Sequence, residues 1–221
     1  MKRLRAVVAC GLVGVGLALA GTSGAATPTS DETGRTAKTE TIQALTRGGY
    51  VIVVRHATTE FGEVDMYPLD LANASAQRTL SDLGRLEARG LGKALKAAGV
   101  PVGRVYASAL RRAAETAEYL GFESWATSVD LAEDAAAAPE EVARRADVLR
   151  HLMAIAPAPG TNNIIVAHKP NIIRVLGEAM ASILPVEMII VQPLPGGRMR
   201  VVDRLTKEDW RAAVCAANCG F

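Results

Sequence analysis

The sequence predicts an α/β fold: a three-layer α/β/α sandwich built on a mainly parallel, mixed sheet. Two observations predict it. The runs Tyr50-Val-Ile-Val-Val54 and Asn163-Ile-Ile-Val-Ala167 are apolar without alternation, which suits strands covered on both faces. Around them lie amphipathic stretches with helix caps and stops, so buried strands alternate with helices.

The 221-residue chain opens with Lys2, Arg3 and Arg5, followed by an apolar run from Ala6 to Ala20 and small residues at Ser23, Gly24, Ala25 and Ala26. Residues 1–26 therefore read as a signal peptide, with an uncleaved membrane anchor as the alternative. The run is short and glycine-rich for a membrane span, and Cys10 lies too early in it for a lipoprotein cleavage site. Residues 27–48 read as a flexible lead-in: Thr27 to Lys38 is polar, and Thr39 to Thr46 is a candidate short helix.

Residues 49–221 form the predicted domain. Tyr50–Val54 is the first strand. Phe61 to Arg78 has no clean period and carries Gly, Pro and Asn, so it reads as a long loop. Ser81 to Ala98 reads as a helix, with Ser81 as cap, Asp82 in the first turn, and Gly99 and Pro101 as stops. Val102–Ala107 is the second strand. Ala109–Leu120 is a helix ended by Gly121. Pro139–Ile155 is another, with proline first and Glu140-Glu141 next. Asn163–Ala167 is the third strand, followed by a helix from Pro170 to Met180. Glu187–Gln192 and Met199–Arg204 flank the Pro195-Gly196-Gly197 turn and predict a hairpin, which makes the sheet mixed.

Removal of residues 1–26 takes away three positive charges, so the formal charge of +2 becomes −1. Such a chain has no general electrostatic drive toward nucleic acid, and membrane association is expected only through an uncleaved signal segment. The leader implies export, to the periplasm or beyond the cell. Cys215 and Cys219 remain, in an oxidising setting where they either pair or stay as two thiols. Without matching histidines they are not a zinc site.

In open α/β sheets, ligands bind beyond the carboxyl ends of the strands. After the first strand come Arg55 and His56. After the second come Ser108 and, one helical turn on, Arg111 and Arg112. After the third comes His168. Two of the chain's three histidines thus stand at strand ends. The third, His151, is mid-helix and reads as an ordinary helix residue. A lone strand-end histidine reads as a core residue satisfied by a carbonyl; two of them with arginines read as a site. Guanidinium groups fork onto phosphate oxygens. Two arginines with a protonated histidine would hold a phosphoryl group, and a second, neutral histidine would attack phosphorus in line. The arginines supply the positive charge, and the chain carries no Asp-rich cluster suited to magnesium.

Three blocks in order resemble the histidine phosphatase superfamily, the phosphoglycerate mutase-like group. Val53-Val-Arg-His-Ala-Thr-Thr-Glu60 resembles its Arg-His-Gly signature. Ser108-Ala-Leu-Arg-Arg-Ala-Ala-Glu-Thr-Ala117 is similar to its second block, Ser-x-x-x-Arg-Ala-x-x-Thr-Ala. Val166 to Lys169 resembles the strand that ends in its second histidine. Gln77-Arg-Thr-Leu-Ser-Asp-Leu-Gly-Arg85 is similar to the segment before the first helix of many members. The resemblance runs from about Gly49 to about Trp210.

The resemblance implies a metal-independent phosphoric monoester hydrolase without a cofactor. It implies His56 as nucleophile, Arg55 and Arg112 as phosphate-binding residues, and His168 as both phosphate ligand and stabiliser of the transferring group. Arg112, not Arg111, fits the pattern, which leaves Arg111 on the surface. Ser108 either lines the pocket or caps a helix. Thr59 either reaches the phosphate or is a solvated loop residue. Two positions depart from the pattern: Ala57 stands where glycine is usual, and Lys169 follows His168 where glycine is common. Lys169 is either an exposed lysine or a rim cation favouring an acidic or multiply phosphorylated substrate. The leaving alkoxide needs a proton. Glu133 occupies the region of the family's acid and is assigned that role; an exposed loop acid is the other reading of it and of Asp134, and Glu60, Glu63 and Asp65 are rivals. The implied substrate is a small-molecule or macromolecular phosphate ester. A phosphomutase and a phosphoryl-group binding protein without turnover are the alternatives. No oligomeric state is readable.

Overall fold

Alternation in burial shows how the sheet is used. Along β1 (Val51–Arg55), Ile52 and Val54 enter one apolar cluster while Val51 and Val53 enter another. β4 (Asn162–Ala167) splits the same way, with Ile164 and Val166 on one side and Ile165 and Ala167 on the other. The strands are apolar on both faces because helices cover both faces. The computed structural model describes residues 30–133 and 137–214.

In chain order the remaining elements are α1 (Ser30–Leu45), α2 (Asp82–Ala97), β2 (Val102–Ser108), α3 (Arg111–Leu120), β3 (Trp125–Ser128), α4 (Pro139–Ala154), α5 (Lys169–Leu176), β5 (Met188–Leu194), β6 (Arg198–Leu205) and α6 (Lys207–Val214). The sheet order is β3-β2-β4-β1-β5-β6. β1, β2, β3 and β4 run parallel, β5 lies antiparallel to β1, and β6 closes a hairpin with β5. One core holds residues of α1, α2, α3 and α6, the other residues of α4 and α5, so the three layers and the mixed sheet are present.

Local sequence signals act as expected in α2. Ser81 Oγ accepts the Gly84 N–H at 3.1 Å, and the helix ends at Ala98-Gly99. Gly92 lets α2 lie directly on the end of α3: a Cβ there would stand 2.1 Å from the Leu120 carbonyl oxygen.

Four features differ from the sequence reading. The expected lead-in is largely a helix, α1, because Ile42 and Leu45 enter the core and Thr41 Oγ1 donates to Asp203 at 2.8 Å. Lys38 adds an ion pair to Asp203 and a 2.7 Å bond to the Arg204 carbonyl. β3 has only four residues, mostly exposed, and its pairing comes from the backbone, so no apolar run announces it. The helix expected from Pro170 to Met180 stops at Leu176: Gly177 turns out at φ +91°, and a 3-10 turn at Glu178–Met180 follows. α6 is additional. Thr206 and Asp209 cap each other there, with Thr206 N–H to Asp209 Oδ2 at 2.7 Å and Asp209 N–H to Thr206 Oγ1 at 3.2 Å. The proposed signal segment, residues 134–136 and both C-terminal cysteines lie outside the described residues. Among the described residues no helix is long and apolar enough to cross a membrane.

Candidate active site

β4 lies between β1 and β2, and this order assembles the site. Arg55 pairs in register with Ala167, so His56 and His168 each follow directly on matched positions of neighbouring parallel strands. The His56 N–H donates to the Ala167 carbonyl at 3.0 Å, which continues the ladder into the site. The two imidazole centroids are 5.2 Å apart and the rings are tilted by 54°. On the other side of β4, β2 leads into α3, whose second residue is Arg112. α3 and α5 both begin here without a side-chain cap on their N-caps, Leu110 and His168. The positive ends of two helices thus begin beside the imidazoles, an arrangement that favours an anion.

His56 Nδ1–H donates to the Ala57 carbonyl at 2.8 Å in the tautomer that leaves the Nε2 lone pair free. Burial, then the charge of Arg112, holds its pKa down to about 3. His168 is fully buried, and neither ring nitrogen has a hydrogen-bond partner. Burial, then His56 and Arg112, pushes its pKa well below the usual value. Both imidazoles are therefore neutral at neutral pH. This differs from the expectation of a protonated histidine: the low-dielectric site with several guanidiniums disfavours another cation until an anion enters.

Arg55 Nη1 donates to the Ile183 carbonyl at 2.7 Å, while its buried Nε has no partner. Arg112 is fully buried. Its Nη1 donates to both oxygens of Asp65, each at 3.1 Å, its Nη2 pairs with Glu133 Oε2, and its Nε is unpartnered. Burial raises the Asp65 carboxyl, but the Arg78 N–H and the Arg112 and Arg78 guanidiniums outweigh it and leave the pKa lowered.

Glu133 is no exposed loop acid. Its side chain is 17% exposed, it pairs with Arg112, and its Oε2 lies 3.9 Å from His168 Nδ1. Asp65 clamps arginines rather than serving as a free acid. Glu63 is used locally, by the Thr79 N–H at 2.6 Å. Thr59 forms a backbone bridge to Leu80 and does not line the cavity. Ser108 is buried, with Oγ accepting the Leu110 N–H at 3.1 Å. Arg111 pairs with Glu115. Ala57 is tolerated: its N–H donates to Thr116 Oγ1 at 3.0 Å.

These groups open into a cavity of about 680 Å3 lined by Arg55, His56, Arg78 and Glu133, with Lys169, Ile173 and Arg174 on the α5 side. Arg78 is the residue that sequence reasoning missed. It appeared there only inside the Gln77–Arg85 segment, and no spacing marks a loop arginine as one that folds back over a site.

The depressed imidazoles predict acid sensitivity. Unfolded histidine takes up a proton near pH 6.5, whereas folded His56 resists until about 3. The unfolded state therefore binds more protons below 6.5, and stability falls with pH, by up to about 1.4 kcal/mol per unit for each such histidine. Urea midpoints measured from pH 6.5 to 5 should fall, and more steeply than in H56A; equal slopes in the two proteins would contradict this burial account.

Among known proteins, a sequence model of the histidine phosphatase superfamily (branch 1) matches residues 51–135. No curated protein sequence matches the chain. Several solved structures share its fold. The protein histidine phosphatase SixA, complexed with tungstate, superposes with a TM-score of 0.52 at 18% identity, over 71% of this chain and 96% of its own. A phosphoserine phosphatase mutant from Entamoeba histolytica, in complex with phosphoserine, gives 0.52 at 14% identity, over 72% and 98%. A mycobacterial glucosyl-3-phosphoglycerate phosphatase gives 0.50 at 19% identity, over 69% and 96%.

Proposed function

We propose, on the premise that this chain belongs to the histidine phosphatase superfamily, that it hydrolyses a phosphate monoester without a metal, through a phosphohistidine on His56. The observation that carries this reading is the pair of neutral imidazoles, 5.2 Å apart, set beside the buried guanidinium of Arg112. His56 Nε2 attacks phosphorus as the P–O bond to the leaving group breaks. Arg55, Arg112 and His168 meet the charge on the three transferring oxygens. Glu133 gives a proton to the leaving oxygen. It then takes one from the water that attacks the phosphohistidine, which releases inorganic phosphate and restores His56.

A cavity of about 680 Å3 is the size of a small-molecule site. Lys169, at the start of α5 and next to His168, favours a leaving group with a negative charge of its own, beside a short apolar strip from Ile173. We place the protein outside the cytoplasm on the strength of the basic head and apolar run within residues 1–26.

The test is p-nitrophenyl phosphate hydrolysis in excess chelator. Nitrophenol release with an acid-labile, base-stable phosphoprotein supports the reading. Binding of phosphate without release makes the chain a binding protein, and transfer to an added alcohol in preference to water makes it a mutase.

A further inference from the structure

The phosphate-binding set read from the sequence has two arginines; the structure brings a third to the same place. Arg78 lies on the loop ahead of α2. Its backbone N–H donates to Asp65 Oδ1 at 3.0 Å, its Nε to Asp65 Oδ2 at 3.2 Å, and its Nη2 to Glu133 Oε2 at 3.4 Å. Asp65 and Glu133 are the same two carboxylates that hold Arg112. The two guanidiniums are thus clamped as a pair. Arg78 lines the cavity, whereas Arg112 does not reach its surface. The charge of Arg78 is among the causes that depress His56, His168, Arg55 and Arg112, so it stands within electrostatic reach of every residue of the site.

One atom is shared. Glu133 Oε2 accepts from Arg112 Nη2 and Arg78 Nη2 and sits 3.9 Å from His168 Nδ1. A carboxylate oxygen and a phosphoryl oxygen make the same charge-assisted bonds to guanidinium. In the same site, the ring nitrogens of His168 and the Nε atoms of Arg55 and Arg112 are buried and unpartnered. Buried polar atoms are ordinarily paired, so four unpaired ones on Arg55, Arg112 and His168 are suited to an anion's oxygens.

We propose that Arg78 is a phosphate-binding residue of this site, aligned by Asp65, and that Glu133 holds the oxyanion seat until phosphate displaces it. The inference rests on the phosphoryl-transfer reading above. Asp65 stays in place, because the Arg78 backbone N–H ties it to the loop. Glu133 leaves both guanidiniums when the phosphoryl group takes them over, and then faces an anion instead of two cations. That exchange leaves Glu133 beside the leaving oxygen.

The experiment measures inorganic phosphate binding by calorimetry, and phosphate inhibition of p-nitrophenyl phosphate hydrolysis, in wild type, R78Q, R78K and E133Q. Thermal melting confirms that each variant is folded. R78Q should weaken phosphate binding about tenfold or more, the loss expected for one charged hydrogen bond. Its KM should rise more than its kcat falls, and R78K should recover part of the loss. E133Q should bind phosphate several-fold more tightly than wild type while turning over more slowly. A folded R78Q with wild-type phosphate affinity overturns the proposal, as does an E133Q whose affinity is unchanged or weaker. If wild type neither binds nor releases phosphate, the phosphoryl-transfer reading itself fails and takes this inference with it. If wild type does both and R78Q matches it, only this inference falls.

Discussion

Replacing His56 with alanine should reduce turnover by at least about 10^3-fold and abolish the phosphoprotein intermediate. The effect is large because no other group in the site can form the P–N bond. His168 has a lone pair, but its ring is fully buried and lies off the cavity lining, whereas His56 lines the cavity. The variant should still bind inorganic phosphate within a few-fold of wild type, because the guanidiniums of Arg55, Arg78 and Arg112 remain. Binding without turnover separates a lost nucleophile from a collapsed site. H56A should also be less acid-sensitive than wild type, since it removes one imidazole that resists protonation in the folded state. Residual phosphohistidine in H56A would move the nucleophile elsewhere.

The second large effect is expected at Arg112. This side chain is wholly buried and pairs with both Asp65 and Glu133. R112A leaves two carboxylates facing each other with only Arg78 between them. Removing one partner from a buried ion pair costs about 3–5 kcal/mol, which for a domain of this size lowers the melting temperature by roughly 10 °C. Phosphate binding should be lost as well. R112K keeps the charge but not the two-pronged geometry, so it should recover stability better than it recovers phosphate affinity. The native Asp65 pKa is lowered, so its ion pairs stabilise the fold above the unfolded carboxylate range and less as pH falls through it. The stability gap between R112A and wild type should therefore narrow at low pH. A gap that stays constant from pH 7 to pH 3 would mean that packing, not charge, sets the cost.

Much of the fold was readable because burial leaves a local trace. A strand covered on both faces must be apolar at successive positions, and Tyr50–Val54 and Asn163–Ala167 are. Helix ends leave caps, and Ser81 and Gly121 marked theirs. What escaped had no such trace. α1 is polar along most of its length, and contacts to β6, remote in sequence, hold it. β3 pairs through its backbone with side chains largely exposed. Gly177 was hidden inside an otherwise helical pattern.

The candidate site divides along the same line. By itself the sequence determined which residues end the buried strands: Arg55 and His56 after β1, His168 after β4, Arg112 one turn into α3. Strand ends are set by local hydrophobic runs, so their positions follow from neighbours in the chain. Only the tertiary structure decided that β4 lies between β1 and β2, that Arg78 and Asp65 fold back from a long loop, and that Glu133 pairs with Arg112. The first depends on backbone ladders between strands far apart in the chain and the others on ion pairs across it, and no local periodicity encodes either.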